Sequence, residues 1–488
     1  MSGLAVHLPA LQVVVPLPRG LAWAAATAAS LMAFLIAVQL TSGVLAGQEY
    51  RYAVGGWPAP YGIELLVDSF SALLLLIVTG ASTLALLAGK ASLEREIETR
   101  RQPLFYAAWL LALAGLAGIL VAADAFNIFV FMEISSLASY VLVAGGPDRR
   151  ALPAVFKYLL MGTIGATFYL IGVGLVYMMT GTLNLADMEL RIHQVADQKP
   201  ILVAAGFITV GLALKAAVFP LHVWLPNAYT WAPHAVTVFF AACATKVALY
   251  VLLRFDFVVF QQNLVGHETQ FAAFLMPLAV LAILVGSAVA LFETNLKRLL
   301  AYSSVAQIGY ILLGASMVSV LGLSAGLLHM FNHALAKGAL FLAVLCLALR
   351  VGSLDLRQLS GAARQMPWTM GALVLGGLSL IGVPGTAGFI SKWYLVSAAL
   401  NEGALGVLLI AVVVTGSLMA VVYIWRIVET AWFQAPEAGA PTLTEAPLPA
   451  LLVTWSVALA NLWFGLAPAL PLRLSTAAAE SLLRHLPQ

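Results

Sequence analysis

Five ionisable side chains lie inside stretches of this sequence that are apolar enough to span a bilayer. They are Glu133, Lys215, Lys246, Lys337 and Lys392. Only 9% of the chain is charged, so these positions are not the background of a charge-rich sequence. An ionisable group at membrane depth costs at least about 2.5–3.5 kcal/mol on insertion, and it usually marks an ion or proton pathway. The pattern therefore predicts charge movement through a membrane rather than chemistry on a soluble substrate.

Two histidines share a predicted helix face with one of these lysines. His329, His333 and Lys337 follow one another at four-residue intervals, which places successive Cβ atoms about 5–6 Å apart on one side of a helix. Such a row suits proton hopping through intervening waters. Two histidines at this spacing can also bind a metal, but no third ligand of the usual type lies nearby. We therefore expect no metal at this site.

Lysine and glutamate suit proton transfer because their protonation can be switched. Burial disfavours the charged ammonium, and a nearby carboxylate restores it. Arginine stays charged and cannot serve in this way. We predict one unit in which Glu133 and Lys215 lie beside Lys246, and a second unit in which the histidine row leads to Lys392.

Three further residues are possible accessory members of the path. His222 follows a predicted helix break, and Asp124 precedes a span. His234 opens another span after Pro233, where a pore-lining role and a helix-capping role remain equally open. Sodium would need several carboxylate and carbonyl oxygens, and only Glu133 and Asp124 are acidic candidates near a span. We therefore expect protons to move through this chain and leave the passage of Na⁺ open.

The composition requires a membrane protein. The chain has 488 residues, 62% of them hydrophobic, and its mean hydropathy is +0.98, which is more apolar than a soluble fold can bury. A span needs about 20 mostly apolar residues. We predict an all-α polytopic membrane protein with about fourteen transmembrane helices, at 3–17, 20–46, 65–89, 104–123, 125–145, 154–180, 200–220, 234–253, 271–292, 299–320, 323–349, 368–398, 404–433 and 447–470.

Two predicted spans are interrupted, and each carries one of the lysines. Lys215 lies shortly before Pro220, whose ring would clash with the carbonyl four residues earlier. Lys392 follows a cluster of glycine and proline at 382–388. Paired interrupted segments in corresponding halves indicate an inverted-repeat transporter. We expect spans seven and twelve to be discontinuous and the two five-helix repeats to be inverted.

These assignments divide the chain into four parts. Residues 1–103 would hold the first three spans, with a β-hairpin outside the membrane at 50–68, where Tyr, Val and Trp surround a Gly-Gly pair. Residues 104–254 would form the first repeat, 255–433 the second, and 434–488 the last span and tail. The N-terminal segment has no basic region and no small-residue cleavage site, so it is predicted to be a short span and not a removable signal peptide.

The distribution of Lys and Arg predicts the orientation, because cytoplasmic loops are enriched in them. With both termini outside, the inner loops hold twelve Lys and Arg residues and the outer loops and tail hold six. The inner set includes Lys90 and Lys297, and the outer set includes Arg254. Glu96 shares an inner loop. We expect a multi-pass protein of the cell inner (plasma) membrane.

Three stretches resemble the antiporter-like membrane subunits shared by respiratory complex I, membrane-bound hydrogenases and Mrp-type Na⁺/H⁺ antiporters. They are the run from Lys215 through the histidine–tryptophan–proline segment to Lys246, then Glu293–Tyr310, and then Gly382–Tyr394. The resemblance covers roughly residues 60–430. It implies fourteen helices, inverted repeats and functional roles for the residues that match the family motifs, namely Glu133, Lys215, Lys246 and Lys392.

Within this family the chain looks most like the D subunit of an Mrp antiporter, judged by its length and its Gly-Gly-Trp hairpin. The resemblance implies a proton-translocating subunit of a multisubunit Na⁺/H⁺ antiporter, with other membrane subunits as partners. One alternative is a proton-pumping membrane subunit of complex I or a hydrogenase. Another is a scaffold with vestigial lysines, against which the five buried charges argue. The sequence has no Walker loop, nucleophile elbow or cysteine cluster, so we expect a transporter subunit that is not itself an enzyme, without cofactor or nucleic-acid partner.

Overall fold

The computed structural model describes residues 20–260, 267–436 and 442–484, and it is built mainly of helices. Among the described residues, eleven helices are long and apolar enough to cross a membrane. The predicted all-α polytopic architecture is therefore confirmed. The first predicted span, 3–17, lies outside the described residues.

The described residues of the first half of the chain form nine α-helices and one β-hairpin. The helices are α1 (Leu21–Leu45), α2 (Ser69–Glu96), α3 (Gln102–Val121), α4 (Ala125–Ala144), α5 (Ala151–Thr180), α6 (Leu185–Ile192), α7 (Lys199–Lys215), α8 (Trp224–Trp231) and α9 (His234–Arg254). The predicted hairpin is present as the antiparallel strands β1 (Tyr50–Ala53) and β2 (Glu64–Val67).

The second half contributes nine more α-helices among the described residues. They are α10 (His267–Phe292), α11 (Leu296–Ser316), α12 (Val320–Ala348), α13 (Ala362–Gln365), α14 (Pro367–Ile381), α15 (Ala387–Ala399), α16 (Gly403–Val428), α17 (Leu448–Leu466) and α18 (Ala469–Leu482). Every predicted span from the second to the fourteenth contains one or two of these helices. The spans predicted from the sequence do not include α6, α8, α13 or α18, because none of the four is long and apolar enough to register as a span.

Both predicted breaks are present, and each separates two half-helices. The first half-helix, α7, ends at Lys215, and α8 begins at Trp224. Between them Ala217 has a φ of 55°, a left-handed conformation that is uncommon for a residue with a Cβ. The second break separates α14 from α15, and there Gly382 has a φ of 89°, which glycine adopts without steric cost.

Gly388 lies where α15 packs closely against the end of α14. A Cβ at this position would overlap the carbonyl oxygen of Ser379. We therefore expect Gly388→Ala to force the two half-helices apart and to lower the stability by about 1–3 kcal/mol, as overpacking does. The melting temperature of the purified protein measures this. Gly174→Ala is the control, because nothing lies within 4 Å of the Cβ that it would add. Equal melting temperatures for the two variants would contradict the close packing.

Each half of the chain contains a matching pair of backbone hydrogen bonds between distant segments. They are Ala125 N to Leu183 O at 2.8 Å and Leu185 N to Ala123 O at 2.9 Å, then Leu296 N to Leu354 O at 2.9 Å and Leu356 N to Thr294 O at 2.8 Å. In the first half these hydrogen bonds join the start of α4 to the segment that follows α5. In the second half they join the start of α11 to the segment that follows α12. Two related repeats would produce this pattern, so it favours the repeats at 104–254 and 255–433, which remain a prediction.

The centre of the bundle is formed by α9, α11 and α12. The most apolar windows of these three spans are each 94% buried, whereas that of α1 is only 28% buried. The helix α12 packs against α9, α11, α14, α15 and α17. Residues carried by α9 and α12 are therefore shielded from lipid, and this is where most of the predicted path residues lie.

Candidate functional site

Lys215 and Glu133 lie close together, at the junction of α7 and α4. The ammonium of Lys215 donates a hydrogen bond to Ser136 Oγ at 2.8 Å, and it lies 3.8 Å from Glu133 Oε1. The side chains are 10% and 33% exposed, respectively. Lys215 also occupies the last turn of α7, where a cation interacts favourably with the helix dipole. The pair can therefore hold a proton at this position and exchange it.

A small cavity separates Lys215 from α9. It has a volume of about 50 Å³, and its lining includes Ser136, Tyr158 and Lys215 on one side and Ala244 and Val247 of α9 on the other. A water molecule needs about 10–15 Å³ measured in this way. The cavity therefore has room for a few waters between Lys215 and the helix that carries Lys246.

Lys246 is completely buried, and no carboxylate of the described residues lies within 4.0 Å of its ammonium. Its side chain is 0% exposed, and its ammonium donates to the carbonyl oxygen of Ala241 on its own helix at 2.7 Å. Across the described residues, Lys215 is the only predicted path lysine with a carboxylate within 4.0 Å. Lys246, Lys337 and Lys392 rely instead on hydroxyl and carbonyl oxygens.

The predicted row on α12 is present, and all three of its members are buried. The rings of His329 and His333 are nearly parallel, with centroids 6.3 Å apart. Lys337 donates to the carbonyl oxygen of Leu300 at 2.5 Å and to the hydroxyl of Ser303 on α11. Within the described parts of the chain, neither ring nitrogen of His333 has a hydrogen-bond partner. His333 is therefore free to receive or give a proton if water enters.

The two predicted units meet where α9 packs against α12. This contact brings Lys246 within electrostatic range of His329, His333 and Lys337. A charge on Lys246 therefore acts directly on the row in the other half of the chain. Both units were predictable from the sequence, but this junction between them was not.

Lys392 lies on α15, just after the second helix break, and its side chain reaches back to the end of α14. Its ammonium donates to Leu380 O at 3.1 Å, to Ile381 O at 2.9 Å and to Ser417 Oγ at 2.9 Å. It also lies 4.7 Å from the centroid of the Tyr310 ring, a cation–π distance. Both interrupted spans thus place a lysine ammonium at the C-terminal end of a half-helix.

The histidine end of the row faces Lys392. His329 Nδ1 lies 2.9 Å from the hydroxyl of Ser391, and His329 Nε2 lies 2.9 Å from Gln307 Oε1. Ser391 directly precedes Lys392 in the chain. The spatial order is therefore Lys337, His333, His329 and Lys392. Among the described residues no three His, Cys, Asp or Glu side chains group together as a metal site would require.

The three accessory residues have different environments. His222 lies in the first break, where its ring stacks on Phe219 at 5.3 Å. His234 is the first residue of α9, directly after the N-cap residue Pro233, and its Nδ1 atom has no hydrogen-bond partner among the described residues. Asp124 caps α4 by accepting a hydrogen bond from the Asn127 backbone N at 2.8 Å. Asp124 thus has a structural role at the end of a span.

Two basic residues that were predicted to lie in loops are buried in the structure. Arg254 donates to both carboxylate oxygens of Asp68, at 2.7 and 2.6 Å. Lys297 is 2% exposed and donates to the carbonyl oxygen of Ala232 at 2.8 Å. The loop prediction was wrong for both because charges at the ends of an apolar window are indistinguishable from loop charges. Asparagine is a favoured N-cap residue, so Asn295, two positions before Lys297, is the sequence signal that could have placed Lys297 inside α11.

Comparison with known proteins identifies the family. Residues 122–420 match the family described as "NADH:quinone oxidoreductase/Mrp antiporter, TM", which is more than half of the chain. The chain belongs to this family. The resemblance drawn from Lys215–Lys246, Glu293–Tyr310 and Gly382–Tyr394 is therefore confirmed, as is the description of the chain as a membrane transporter subunit of the NADH:quinone oxidoreductase/Mrp antiporter family.

Relatives within the NADH:quinone oxidoreductase/Mrp antiporter family carry two kinds of name. The N subunit of the NADH-quinone oxidoreductase of Desulforudis audaxviator is 43% identical over 436 residues, which are 89% of this chain and 85% of that protein. The D subunit of the Na⁺/H⁺ antiporter of Bacillus subtilis is 30% identical over 417 residues, which are 85% of this chain and 83% of the other. A chain of the Mrp complex from Dietzia sp. DQ12-45-1b has a TM-score of 0.89 and 28% identity, and the match covers 99% of this chain and 97% of that one.

Proposed function

We propose that this chain is a proton-translocating subunit of a multisubunit Na⁺/H⁺ antiporter. Its protons would move along the side chains of Glu133, Lys215, Lys246, Lys337, His333, His329 and Lys392. The observation that carries this proposal is the α9–α12 contact, because it brings Lys246 of the first half within electrostatic range of the histidine row in the second half. Other membrane subunits are its partners, and the plasma membrane, with both termini outside, is its proposed location.

The mechanism follows from how charge and water act on buried amines. A Glu133 carboxylate close to Lys215 favours the ammonium form, and its withdrawal or neutralisation releases the proton. Waters in the cavity beside Lys215 would carry that proton towards Lys246. A new positive charge on Lys246 repels a proton on the neighbouring row, since like charges a few ångströms apart interact strongly when buried. The displaced proton would leave through His329 towards Lys392.

The choice of protons over Na⁺ follows from the chemistry of the lining. Sodium would need several oxygen ligands, whereas most of the path side chains are amines and imidazoles. Glu133 is the only carboxylate that the described structure places beside a path lysine. We therefore propose that Na⁺ crosses elsewhere in the complex.

A second candidate function is a proton-pumping subunit of a redox-driven complex. The specific observation in its favour is the 43% identity to a protein named as a subunit of NADH-quinone oxidoreductase. The residues that form the path are the same for both candidates, because the source of energy lies in other chains. The two therefore differ in their partners and in what drives proton movement.

Isolation of the native complex separates the two candidates. In inverted membrane vesicles, we expect added NaCl to dissipate a preformed proton gradient, read as recovery of acridine orange fluorescence, without an electron donor. Mass spectrometry of the purified complex should find small membrane subunits. Stoichiometric flavin or iron–sulfur proteins, together with no response to NaCl, would show that the antiporter assignment is wrong and would support the second candidate.

Lys392 supplies a direct test of the path. Lys392→Met removes the ammonium at the second break, and we expect proton movement to fall by about 10²-fold, which is the lower end of what a positioned proton-transfer group contributes. Lys157→Met is the matched control, because Lys157 is exposed on α5. The rate is measured in inverted vesicles and normalised to assembled complex. A wild-type rate for Lys392→Met would remove this residue from the path.

A further inference from the structure

A second set of titratable groups, one buried and two half-buried, lies beyond the Lys337 end of the path. It consists of Glu96, the last residue of α2, His234, the first residue of α9, and Lys297, in the first turn of α11. Three helices therefore bring these groups together at one face of the bundle. We refer to them as the Glu96–His234–Lys297 cluster.

The hydrogen bonds within this cluster leave its side chains able to gain or lose a proton. Glu96 accepts a hydrogen bond from the backbone N of His234 at 3.0 Å and another from the hydroxyl of Ser92. The carboxylate of Glu96 is also within electrostatic range of the Lys297 ammonium. The Nδ1 atom of His234 is buried, and it has no hydrogen-bond partner among the described residues. The cluster thus contains an acid, an amine and an imidazole that no salt bridge holds in a fixed state.

Helix α11 connects the cluster to the path. Lys297, Leu300 and Ser303 follow at intervals of three residues, so Leu300 is a surface neighbour of both of the others on α11. The carbonyl oxygen of Leu300 and the hydroxyl of Ser303 both accept hydrogen bonds from Lys337. At a rise of 1.5 Å per residue, Lys297 and Ser303 lie about 9 Å apart along the helix axis. Two or three water-length hydrogen bonds cover that distance.

The cluster also lies next to the aqueous edge of the bundle. Glu96 is half-buried, and its neighbours Glu94 and Glu98 are exposed. Three basic groups at this end have other partners: Lys90 lies 4.3 Å from the centroid of the Trp23 ring, Arg95 donates to Leu349 O at 2.8 Å, and Arg298 donates to Glu293 Oε1 at 3.0 Å. Glu96 is therefore the acceptor through which a proton from water can reach Lys297.

We propose that the Glu96–His234–Lys297 cluster is a proton port, through which the Lys337 end of the path exchanges protons with water at this face. This inference rests on the proposed function. A proton taken up by the Glu96 carboxylate passes to a neutral Lys297 amine, which leaves the carboxylate ionised and the amine charged. Lys297 then returns to the amine as its proton moves towards Lys337. His234 provides a second acceptor beside Lys297.

The competing explanation is that Lys297 has only a structural role, in which its hydrogen bond to the carbonyl oxygen of Ala232 holds the segment before α9 against α11. The variant Lys297→Arg distinguishes the proton port from this structural role, because arginine keeps a charged hydrogen-bond donor but does not release a proton at physiological pH. We expect both Lys297→Arg and Lys297→Gln to assemble and to slow proton movement by at least about tenfold in inverted vesicles. Glu96→Gln, which keeps the acceptor for His234, should slow it similarly. The matched control is Arg298→Lys, which should transport at the wild-type rate.

Each outcome of this experiment supports or overturns a defined statement. If Lys297→Arg moves protons at the wild-type rate while Lys297→Gln does not, the role of Lys297 is structural and the proton-port proposal is wrong. If the Lys297 variants do not assemble, a wild-type rate in Glu96→Gln overturns it instead. Lys337→Gln separates the port from the proposed function: if it abolishes transport while both Lys297 variants transport normally, only the port fails. If Lys337→Gln also transports normally, the proposed function fails as well.

Discussion

Replacing Lys215 by alanine is expected to abolish proton translocation and to leave the complex assembled. The substitution removes the ammonium that bonds to Ser136 and faces Glu133, so the first unit loses the group that accepts and releases the proton. Glu133→Ala should have the same effect, because the remaining amine loses the carboxylate that favours its charged form. Proton movement in inverted vesicles gives the rate, and native gel electrophoresis of solubilised membranes gives the amount of complex.

The matched control for this prediction lies on the same helix. Lys199 begins α7 and is exposed, so Lys199→Ala should change neither assembly nor rate. Normal transport in Lys215→Ala or in Glu133→Ala would contradict the proposed path. Loss of the assembled complex in Lys215→Ala would instead indicate that this lysine is needed for folding.

Replacing Asp68 by alanine is expected to destabilise the protein strongly, and more than Gly388→Ala does. The carboxylate of Asp68 pairs with Arg254, and the two side chains are only 9% and 10% exposed. Removing one partner of a buried ion pair leaves an uncompensated charge and typically costs about 3–5 kcal/mol. Asp68 also caps α2 through the backbone N of Ser71, and that contact is lost as well. The melting temperature of the solubilised protein measures the effect.

Two comparisons identify burial as the cause. Asp148 and Arg150 form an ion pair at 2.6 Å, with side chains that are 36% and 64% exposed. Asp148→Ala should therefore change the melting temperature little. The double variant Asp68→Leu with Arg254→Leu should recover much of the stability, because apolar side chains can replace a buried ion pair without leaving a charge. Equal melting temperatures for Asp68→Ala and Asp148→Ala would show that the buried pair adds no stability.

The sequence predicted the spans because apolar windows of about 20 residues are a direct requirement of the bilayer. It predicted the breaks at Pro220 and at Gly382 because proline and glycine have local backbone effects that need no tertiary context. The hairpin at 50–68 was predictable for the same reason. Helices α6 and α18 were not, because they are too short or too polar to meet the length and hydropathy that define a span.

The candidate site was predictable only in part. A charge in the middle of an apolar segment is visible in one dimension, so Lys246 and Lys337 were identified. A charge at the end of a segment is not, so Lys297 and Arg254 were assigned to loops. The partners Ser136, Ser303 and Gln307 come from other helices, and small polar residues are too common in membrane spans to be singled out. The meeting of α9 with α12 depends on packing between halves, which spacing along the chain does not encode.

The hydrogen bonds of the buried cations also bear on how the chain can enter the membrane during synthesis. Six buried basic side chains bond to a group that precedes them in the chain: Lys215 to Ser136, Lys246 to Ala241, Arg254 to Asp68, Lys297 to Ala232, Lys337 to Leu300 and Lys392 to Ile381. Since the N-terminal part of a chain is synthesised first, each cation finds its partner already made. During co-translational insertion these cations therefore have a first partner without waiting for a later helix, and only Lys392 gains a further one, Ser417, from a helix that follows it.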